Sequence, residues 1–226
     1  MDSVAVLIPA YNEAKTIAEV VIRTRKAAPD VKILVVDDGS VDNTTIIAKG
    51  AGADVLKLEK NKGKAQAMIS GMVALKDYTW VVYLDADLQY APEEIKKFLE
   101  IIKQDKADFI LGYRDFGHIP HFRHRLANTV VSTLFNICYG TNVKDLTCGL
   151  RAIRTTLWQK MNLMFSGYLV ETEMAYEAKK LGAYIEQVPV GVKYHGKSKV
   201  QRGVKITASI ILHTIFWRLL GKRRMF

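Results

Sequence analysis

An apolar run ends in two aspartates at Trp80-Val81-Val82-Tyr83-Leu84-Asp85-Ala86-Asp87. A continuous apolar run of this length, rich in valine and aromatic residues, predicts a strand that is buried on both faces of a sheet. Side chains two residues apart in extended backbone point to the same side. We therefore expect Asp85 and Asp87 to present both carboxylates to one site at the end of this strand.

Similar apolar runs alternate with helical patterns along the first half of the chain. Strands that alternate with helices predict an α/β domain with a mostly parallel sheet and helices on both faces. Ligands bind such sheets beyond the carboxyl ends of the strands. The predicted strands are Val4–Ile8, Lys32–Val36, Asp54–Leu58, Trp80–Leu84 and Phe109–Leu111, and the predicted helices between them are Thr16–Ala28, Asn43–Gly50, Ala65–Leu75 and Pro92–Lys103.

The pattern after Arg114 is less regular. It predicts a polar loop over 117–124 and then a helix over Arg125–Cys138. A strand–helix region, a helix near Val170–Leu181 and a strand near Tyr184–Val188 follow. These elements extend the same α/β domain.

Polar clusters follow three of the predicted strands, at Tyr11-Asn12-Glu13, Asp37-Asp38-Gly39-Ser40 and Asp85-Ala86-Asp87. Because the carboxyl ends of parallel strands meet at one edge of a sheet, we expect these clusters to converge. Two aspartates with Gln89 nearby suit Mg²⁺ or Mn²⁺ held against a diphosphate, although such a pair can also simply cap the next helix. The Asp38 carboxylate can accept hydrogen bonds from a ribose hydroxyl or a base N–H, or it can merely shape a turn.

The net charge of +10 is unevenly distributed. Residues 1–113 carry 15 basic and 17 acidic side chains, whereas residues 114–226 carry 18 basic and 6 acidic ones. This asymmetry predicts that the second half faces nucleic acid, phosphate groups or a membrane. The carboxylate clusters of the first half would repel a nucleic acid backbone, which argues against a nucleic-acid-binding module. Neither a GxGxxG nor a Walker A motif occurs, so dinucleotide-binding Rossmann sites and P-loops lack support.

The cysteines and histidines do not form a metal-binding pattern. Cys138 and Cys148 lack metal-ligand spacing, which argues against a disulfide scaffold and fits a reducing cytosol. His118, His121 and His124 lie in a loop without cysteines, so we assign them to an acceptor-binding loop rather than a zinc site. The sequence predicts neither a secretion signal nor a membrane-spanning stretch of about 20 apolar residues. We expect a cytoplasmic protein that is peripheral on the cytosolic face of a membrane.

The C-terminal residues 204–226 predict an interfacial helix. Lys205, Ser209 and His213 would form a narrow polar stripe, apolar side chains would cover the rest, and basic residues would end the helix. An apolar face with tryptophan and flanking basic residues is typical of a helix that lies on a membrane surface. A core helix or an oligomer contact is the alternative. We expect a catalytic domain over residues 1–203 followed by this helix.

Eight short motifs follow one another along the chain. They are, in order, Pro9-Ala10-Tyr11-Asn12-Glu13, Val36-Asp37-Asp38-Gly39-Ser40, Asn61-Lys62-Gly63-Lys64, Asp85-Ala86-Asp87-Leu88-Gln89, Gly112-Tyr113-Arg114, Asp145-Leu146-Thr147-Cys148-Gly149-Leu150-Arg151, Glu173 and Gly196-Lys197-Ser198-Lys199. This order resembles the signature of family-2 glycosyltransferases with a GT-A fold. The later motifs are similar to those of dolichyl-phosphate mannose synthases and related polyprenyl-phosphate glycosyltransferases. The resemblance spans about residues 3–200 and implies a nucleotide-sugar donor, a divalent metal and a polyprenyl phosphate acceptor.

The resemblance implies roles for individual residues. Asp85, Asp87 and Gln89 would bind Mg²⁺ or Mn²⁺ and the diphosphate. Asp87 would also act in catalysis, together with Arg114 and Lys193. Family members often carry arginine at the position of Lys193, and lysine keeps the charge but grips phosphate only as a point charge. The nucleotide sugar would contact Pro9, Tyr11, Glu13, Val36, Asp38, Lys64, Asp85, Ala86, Gln89 and Lys199.

The charge distribution also indicates the acceptor. A sugar hydroxyl needs a general base, whereas a phosphate is already ionised and needs positive charge nearby. We expect Arg123, Arg125 and Arg151 to bind an acceptor phosphate, while Asp145 or Glu173 would be the base for a hydroxyl acceptor. The expected reaction is inverting transfer of mannose from GDP-mannose to dolichyl or another polyprenyl phosphate. A UDP-glucose donor or a saccharide acceptor is the alternative.

Overall fold

The computed structural model of the chain describes residues 2–114, 122–164, 169–193 and 200–220. Within these ranges, seven strands form one sheet and eight α-helices pack around it. The strands and helices predicted between Val4 and Val188 are present within three residues of their predicted bounds, because the apolar runs and helical patterns are strong. The loop predicted over 117–124 is shorter at its end, since a helix begins at Phe122, and the C-terminal helix begins four residues before its predicted start at 204. The strands are β1 (Val4–Ala10), β2 (Lys32–Asp37), β3 (Asp54–Lys57), β4 (Trp80–Tyr83), β5 (Phe109–Arg114), β6 (Arg151–Arg154) and β7 (Ile185–Val190). The helices are α1 (Ile17–Ala27), α2 (Thr44–Gly50), α3 (Lys64–Ala74), α4 (Ile95–Lys103, after a 3₁₀ turn at Pro92–Glu94), α5 (Phe122–Tyr139), α6 (Thr155–Trp158), α7 (Val170–Lys180) and α8 (Val200–Leu220).

The sheet has the strand order β3-β2-β1-β4-β6-β5-β7. Strand β6 is antiparallel to both of its neighbours, β4 and β5, and every other strand pairing is parallel. This mostly parallel α/β sheet confirms the predicted fold class. The antiparallel register places Tyr83 of β4 opposite Arg151 of β6. The segment that precedes β6 therefore ends beside the end of β4.

Helices cover both faces of the sheet. Val6 and Ile8 of β1 belong to the core under α1, α2 and α4, whereas Leu7 between them belongs to the core under α3, α5, α7 and α8. A Cβ atom at Gly71 of α3 would overlap the side chain of Leu7. The glycine therefore lets α3 approach β1 closely, which holds the start of α3 at the carboxyl edge of the sheet.

Helix α8 packs along α5. It begins at Val200, so the predicted boundary at residue 203 falls inside it. In the described ranges, no helix combines the length and the apolar character that a bilayer crossing requires.

Candidate active site

A cavity of about 450 Å³ opens at the carboxyl ends of β1, β2 and β4. The polar clusters that follow these strands converge on it, as parallel strands require. Two residues of α8, Ile206 and Ile210, form part of its wall. The predicted site residues that line the cavity are Pro9, Tyr11, Glu13, Asp38, Lys64, Asp85, Ala86, Asp87, Gln89 and Arg114.

Asp38 joins two loops at the rim of this cavity. One carboxylate oxygen accepts a hydrogen bond from the backbone N–H of Lys62, and the other accepts from Gly63, both at 2.8 Å. The turn after Asp38 needs glycine, because Gly39 has a φ of +71° and an added Cβ would lie 2.5 Å from the carbonyl carbon of Lys60. Asp38 thus holds in place the loop that immediately precedes α3, a helix whose first residue is Lys64.

The loop after β1 is tied to the loop after β2. The backbone N–H of Asn12 donates to Ser40 Oγ at 2.9 Å, and that of Glu13 donates to Thr44 Oγ1 at 2.8 Å. Tyr11 is left 43 % exposed at the cavity. An exposed aromatic ring beside hydrogen-bonded loops is suited to stacking against a planar base.

Asp85 and Asp87 face the cavity together. Burial, and then repulsion from Asp85, raises the pKa of Asp87, whose Oδ1 accepts the N–H of Gln89 at 3.0 Å. Gly149 lies against Asp85, where a Cβ atom would overlap the carboxylate. Two crowded carboxylates gain from a shared cation, and hard oxygen ligands suit Mg²⁺ or Mn²⁺.

The aspartates alone do not complete a metal site. Among the described residues, no group of three or more His, Cys, Asp and Glu side chains is placed to hold an ion. Mg²⁺ commonly binds through one or two carboxylates plus waters and substrate phosphates. Asp85 and Asp87, with Gln89 on the same cavity wall, fit a cation that arrives with a diphosphate.

Lys64 stands between Asp85 and a residue that the sequence did not single out. Its Nζ lies 2.7 Å from Asp85 Oδ1 and 3.0 Å from Glu171 Oε1. Burial opposes the charge of Lys64, but these two carboxylates raise its pKa. The sequence indicates only an ordinary helix residue at Glu171. The sequence shows an acidic residue in the first turn of α7, but this pattern does not indicate that the turn faces the cavity.

Arg114 is clamped at the cavity wall. Its Nε donates to Asp145 Oδ2 at 2.6 Å, and one terminal nitrogen donates to Asp145 Oδ1 at 2.8 Å and to Thr147 Oγ1 at 2.7 Å. Asp145 is 1 % exposed. The alternative role of Asp145 as a base is therefore wrong for this geometry, because both of its oxygens are engaged by the guanidinium.

The model of "Glycosyl transferase family 2" matches residues 5–161, which contain the cavity's aspartates and most of the sheet. The chain belongs to this family. It is 30 % identical over 200 residues to polyprenol monophosphomannose synthase of Mycolicibacterium smegmatis, covering 82 % of this chain and 75 % of that one. It is also 30 % identical over 240 residues to UDP-N-acetylglucosamine–dolichyl-phosphate N-acetylglucosaminyltransferase of Methanococcus voltae, covering 95 % and 93 %.

The fold of this family-2 glycosyltransferase matches a solved structure closely. Glucosyl-3-phosphoglycerate synthase of Mycobacterium tuberculosis superposes with a TM-score of 0.78 at 20 % identity, over 96 % of this chain and 78 % of that chain. That structure contains Mn²⁺, UDP and phosphoglyceric acid. The predicted need for a divalent metal agrees with a cation and a nucleotide diphosphate bound together on this fold.

Arg151 of the glycosyltransferase does not face the cavity. It is fully buried, and its guanidinium donates to the backbone carbonyls of Leu146, Cys148 and Glu171. The prediction that it binds an acceptor phosphate is therefore wrong. Its bond to the Glu171 carbonyl, at 2.9 Å, instead holds the first turn of α7 in place.

Other predicted residues also lie away from the cavity. Val36 is buried in β2, and Glu173 is buried in α7, where it accepts the N–H of Met164 at 2.7 Å. Glu173 therefore does not line the cavity as a base would. Lys193 contributes its backbone N–H to the Gln89 carbonyl at 2.8 Å, and its side chain is exposed outside the cavity lining. Predictions for the Lys199 motif, for His118 and His121, and for the side chains of Arg123, His124 and Arg125 lie outside the described part of the chain.

Helix α8 presents an exposed apolar ridge. It consists of Leu212, Ile215 and Leu219, which are 59 %, 40 % and 74 % exposed. Ser209 and His213 of the predicted polar stripe lie together, since His213 Nδ1 is 2.7 Å from the Ser209 carbonyl, and both side chains are partly exposed. The side chain of Lys205, the third residue of the stripe, lies outside the described residues. The helix packs inward through Ile210 and Trp217, and its contact with a membrane stays a prediction.

Proposed function

We propose that this glycosyltransferase transfers mannose from GDP-mannose to a polyprenyl phosphate with inversion at the anomeric carbon. The observation that carries the proposal is Arg114, a buried cation clamped by Asp145 at the cavity wall. An arginine, rather than a free carboxylate base, suits an acceptor that is already an anion. The M. smegmatis relative, named a polyprenol monophosphomannose synthase, supports the same donor sugar and acceptor class.

The cavity residues divide the chemistry between them. Asp85, Asp87 and Gln89 would hold Mg²⁺ or Mn²⁺, which neutralises the leaving diphosphate. Tyr11 and Asp38 would bind the nucleoside, and Lys64 would contact the phosphates or the sugar. Arg114 would draw an acceptor phosphate oxygen toward the anomeric carbon, opposite the departing diphosphate. Because the acceptor arrives ionised, no proton needs to be removed from it.

A UDP-sugar donor is the rival within this class. The M. voltae relative, which is named for UDP-N-acetylglucosamine, covers nearly the whole of both chains. The described side-chain contacts of Asp38 are to the backbone N–H groups of Lys62 and Gly63, and they do not discriminate guanine from uracil. The acceptor class is the same in both cases.

The enzyme would meet its acceptor at a membrane surface, as a peripheral protein on the cytosolic face. We propose that residues 1–203 carry the catalysis and that the C-terminal residues 204–226, most of which belong to α8, form the interface. Support comes from the exposed ridge of α8 and from two exposed residues of the neighbouring α5, Val130 and Ile137. Lys179, Lys180 and Arg218 surround the end of α8 and complement anionic lipid.

A donor and acceptor screen tests the function. Purified protein with Mn²⁺ or Mg²⁺ is given labelled GDP-mannose, UDP-glucose or UDP-N-acetylglucosamine together with a short polyprenyl phosphate. The matched control acceptor is the same polyprenol without its phosphate. We expect a mannosyl lipid from the phosphate alone. Transfer to the free polyprenol or to a saccharide, and none to the phosphate, would refute the acceptor class.

A further inference from the structure

Lys64 already occupies one of the oxygens that a metal ion would need. Its Nζ is 2.7 Å from Asp85 Oδ1, and its side chain is 26 % exposed. A divalent cation that coordinates Asp85 must compete with this ammonium for the carboxylate. Two cations at one carboxylate repel each other, so metal binding has to release Lys64 from Asp85.

We propose that Lys64 holds Asp85 whenever no metal ion is bound to it, and that Glu171 is the positioning residue that retains Lys64 after a metal ion takes Asp85. The proposal rests on the metal role of Asp85 and Asp87 in the proposed function. In this exchange the metal ion binds Asp85 in place of Lys64. The ammonium of Lys64 stays hydrogen-bonded to Glu171, and its other N–H groups turn to the diphosphate.

The carboxylate of Glu171 is placed to retain the ammonium of Lys64. Its side chain is 7 % exposed, and its Oε1 is 3.0 Å from Lys64 Nζ. Its other oxygen, Oε2, is buried and has no hydrogen-bond partner among the described residues. The released ammonium can therefore gain a second hydrogen bond on the same carboxylate. The bond from Arg151 to the Glu171 carbonyl fixes the helical turn that presents this carboxylate.

The position of Lys64 is fixed independently of both carboxylates. It is the first residue of α3, directly after the loop that Asp38 fastens through Lys62 and Gly63. Only the flexible end of the lysine side chain therefore has to move during the exchange. The backbone can stay where it is, so the exchange needs no opening of the fold.

A purely electrostatic role makes a different prediction. If both residues acted on the metal only through their charges, Lys64→Met would tighten and Glu171→Gln would weaken Mn²⁺ binding independently, and the two effects would add in the double variant. In an exchange, Glu171 acts through Lys64, because without Glu171 the ammonium is held by Asp85 alone. Glu171→Gln should then weaken Mn²⁺ binding in the wild type and have little effect once Lys64 is replaced by methionine.

The experiment measures Mn²⁺ binding by calorimetry without nucleotide, on the intact chain. We expect Lys64→Met to tighten Mn²⁺ binding by about tenfold and Glu171→Gln to weaken it severalfold, within the usual range of coupling between two ligands. Inorganic pyrophosphate without metal should bind Glu171→Gln more tightly than wild type. Lys60→Met and Glu59→Gln, which remove the same charges from exposed positions, serve as controls and should leave both affinities unchanged.

The outcomes separate the two proposals. Asp87→Asn should abolish Mn²⁺ binding, and if it does not, the metal site of the proposed function is wrong. If Asp87→Asn abolishes binding but Lys64→Met binds Mn²⁺ no more tightly than wild type, the exchange alone is overturned. Lys64→Gln repeats the test with a polar side chain, and thermal unfolding checks that each variant is folded.

Discussion

The guanidinium of Arg114 and the carboxylate of Asp145 form a two-point ion pair, with N–O distances of 2.6 and 2.8 Å. The pair is shielded from water, since the two side chains are 10 % and 0 % exposed. Paired, parallel hydrogen bonds of this kind fix the plane of the guanidinium as well as its position. Asp145 therefore determines where a buried positive charge meets the cavity.

Asp145→Asn should show whether Asp145 positions Arg114 or acts as a general base. Asparagine keeps the shape but loses the charge, so Arg114 should shift and kcat/KM should fall roughly 100-fold, as expected for a misplaced active-site group. We expect the pH–rate profile to keep its apparent pKa values, because no proton transfer is removed. A flattened acid limb would indicate a base instead. Asp77→Asn, at an exposed position, is the matched control and should have no effect.

Gly149→Ala should weaken metal binding. The new methyl group would overlap the Asp85 carboxylate and push it from its present position. We expect Mn²⁺ affinity to fall about tenfold, since a displaced ligand lowers metal affinity by this order. Gly50→Ala is the control, because a Cβ atom there meets nothing within 4 Å. Equal Mn²⁺ affinity in Gly149→Ala and wild type would contradict the role of Asp85 as a metal ligand.

The two cysteines should differ sharply in reactivity. Burial raises the pKa of the Cys148 thiol to about 11, whereas Cys138 is partly exposed. Very little of Cys148 would therefore be thiolate at pH 8, and the thiolate is the reactive form. A thiol-reactive disulfide reagent should therefore modify one cysteine in the native protein and two in denaturant. Cys138→Ser should remove the fast reaction, and Cys148→Ser should retain it.

Arg151→Met should destabilise the protein. Methionine fills much of the space but leaves three buried carbonyls without their donor. Breaking a buried charged network costs about 3–5 kcal/mol, so we expect the melting temperature to fall by roughly 10 °C. Lys160→Met, at an exposed position nearby in sequence, should change it little. An unchanged melting temperature with a raised KM for the lipid phosphate would restore the original prediction for Arg151.

The exposed ridge of α8 should govern membrane binding. Replacing Leu212, Ile215 and Leu219 by glutamine removes apolar area that would enter the interface, and we expect binding to anionic liposomes to fall at least about tenfold. Sedimentation with vesicles of anionic and of zwitterionic lipid measures this. Unchanged binding would show that the ridge does not contact lipid. The control removes three equally exposed apolar residues from other helices, at Ile22, Ile46 and Val73.

The donor half of the site could be predicted from the sequence. Each strand there is a strong apolar run, and the polar residues that follow the run fall at the cavity by the geometry of parallel sheets. Asp38 and Asp85 follow directly from that rule. Their local turns also carry readable signals, such as the glycine after Asp38.

The second half was harder to predict because its key contacts join residues far apart in the chain. Nothing near Glu171 indicates that it meets Lys64, and nothing near Asp145 indicates that it meets Arg114. Arg151 illustrates the same limit. An arginine in a basic region of the sequence predicts a phosphate ligand at the surface. The antiparallel pairing of β6 instead places Arg151 in the core, where its guanidinium donates hydrogen bonds to backbone carbonyls.

That antiparallel strand also determines how the ion pair of Arg114 is assembled. Because β6 runs opposite to β4 and β5, the chain leaves β5 at Arg114 and re-enters the sheet at the same edge, beside Asp85. Asp145 lies shortly before this re-entry, and its carboxylate meets the guanidinium of Arg114, where the chain left the sheet. The pair thus joins two residues 31 positions apart at one edge of the sheet. Loss of either charge would loosen the end of β5 and the segment before β6 at the same time.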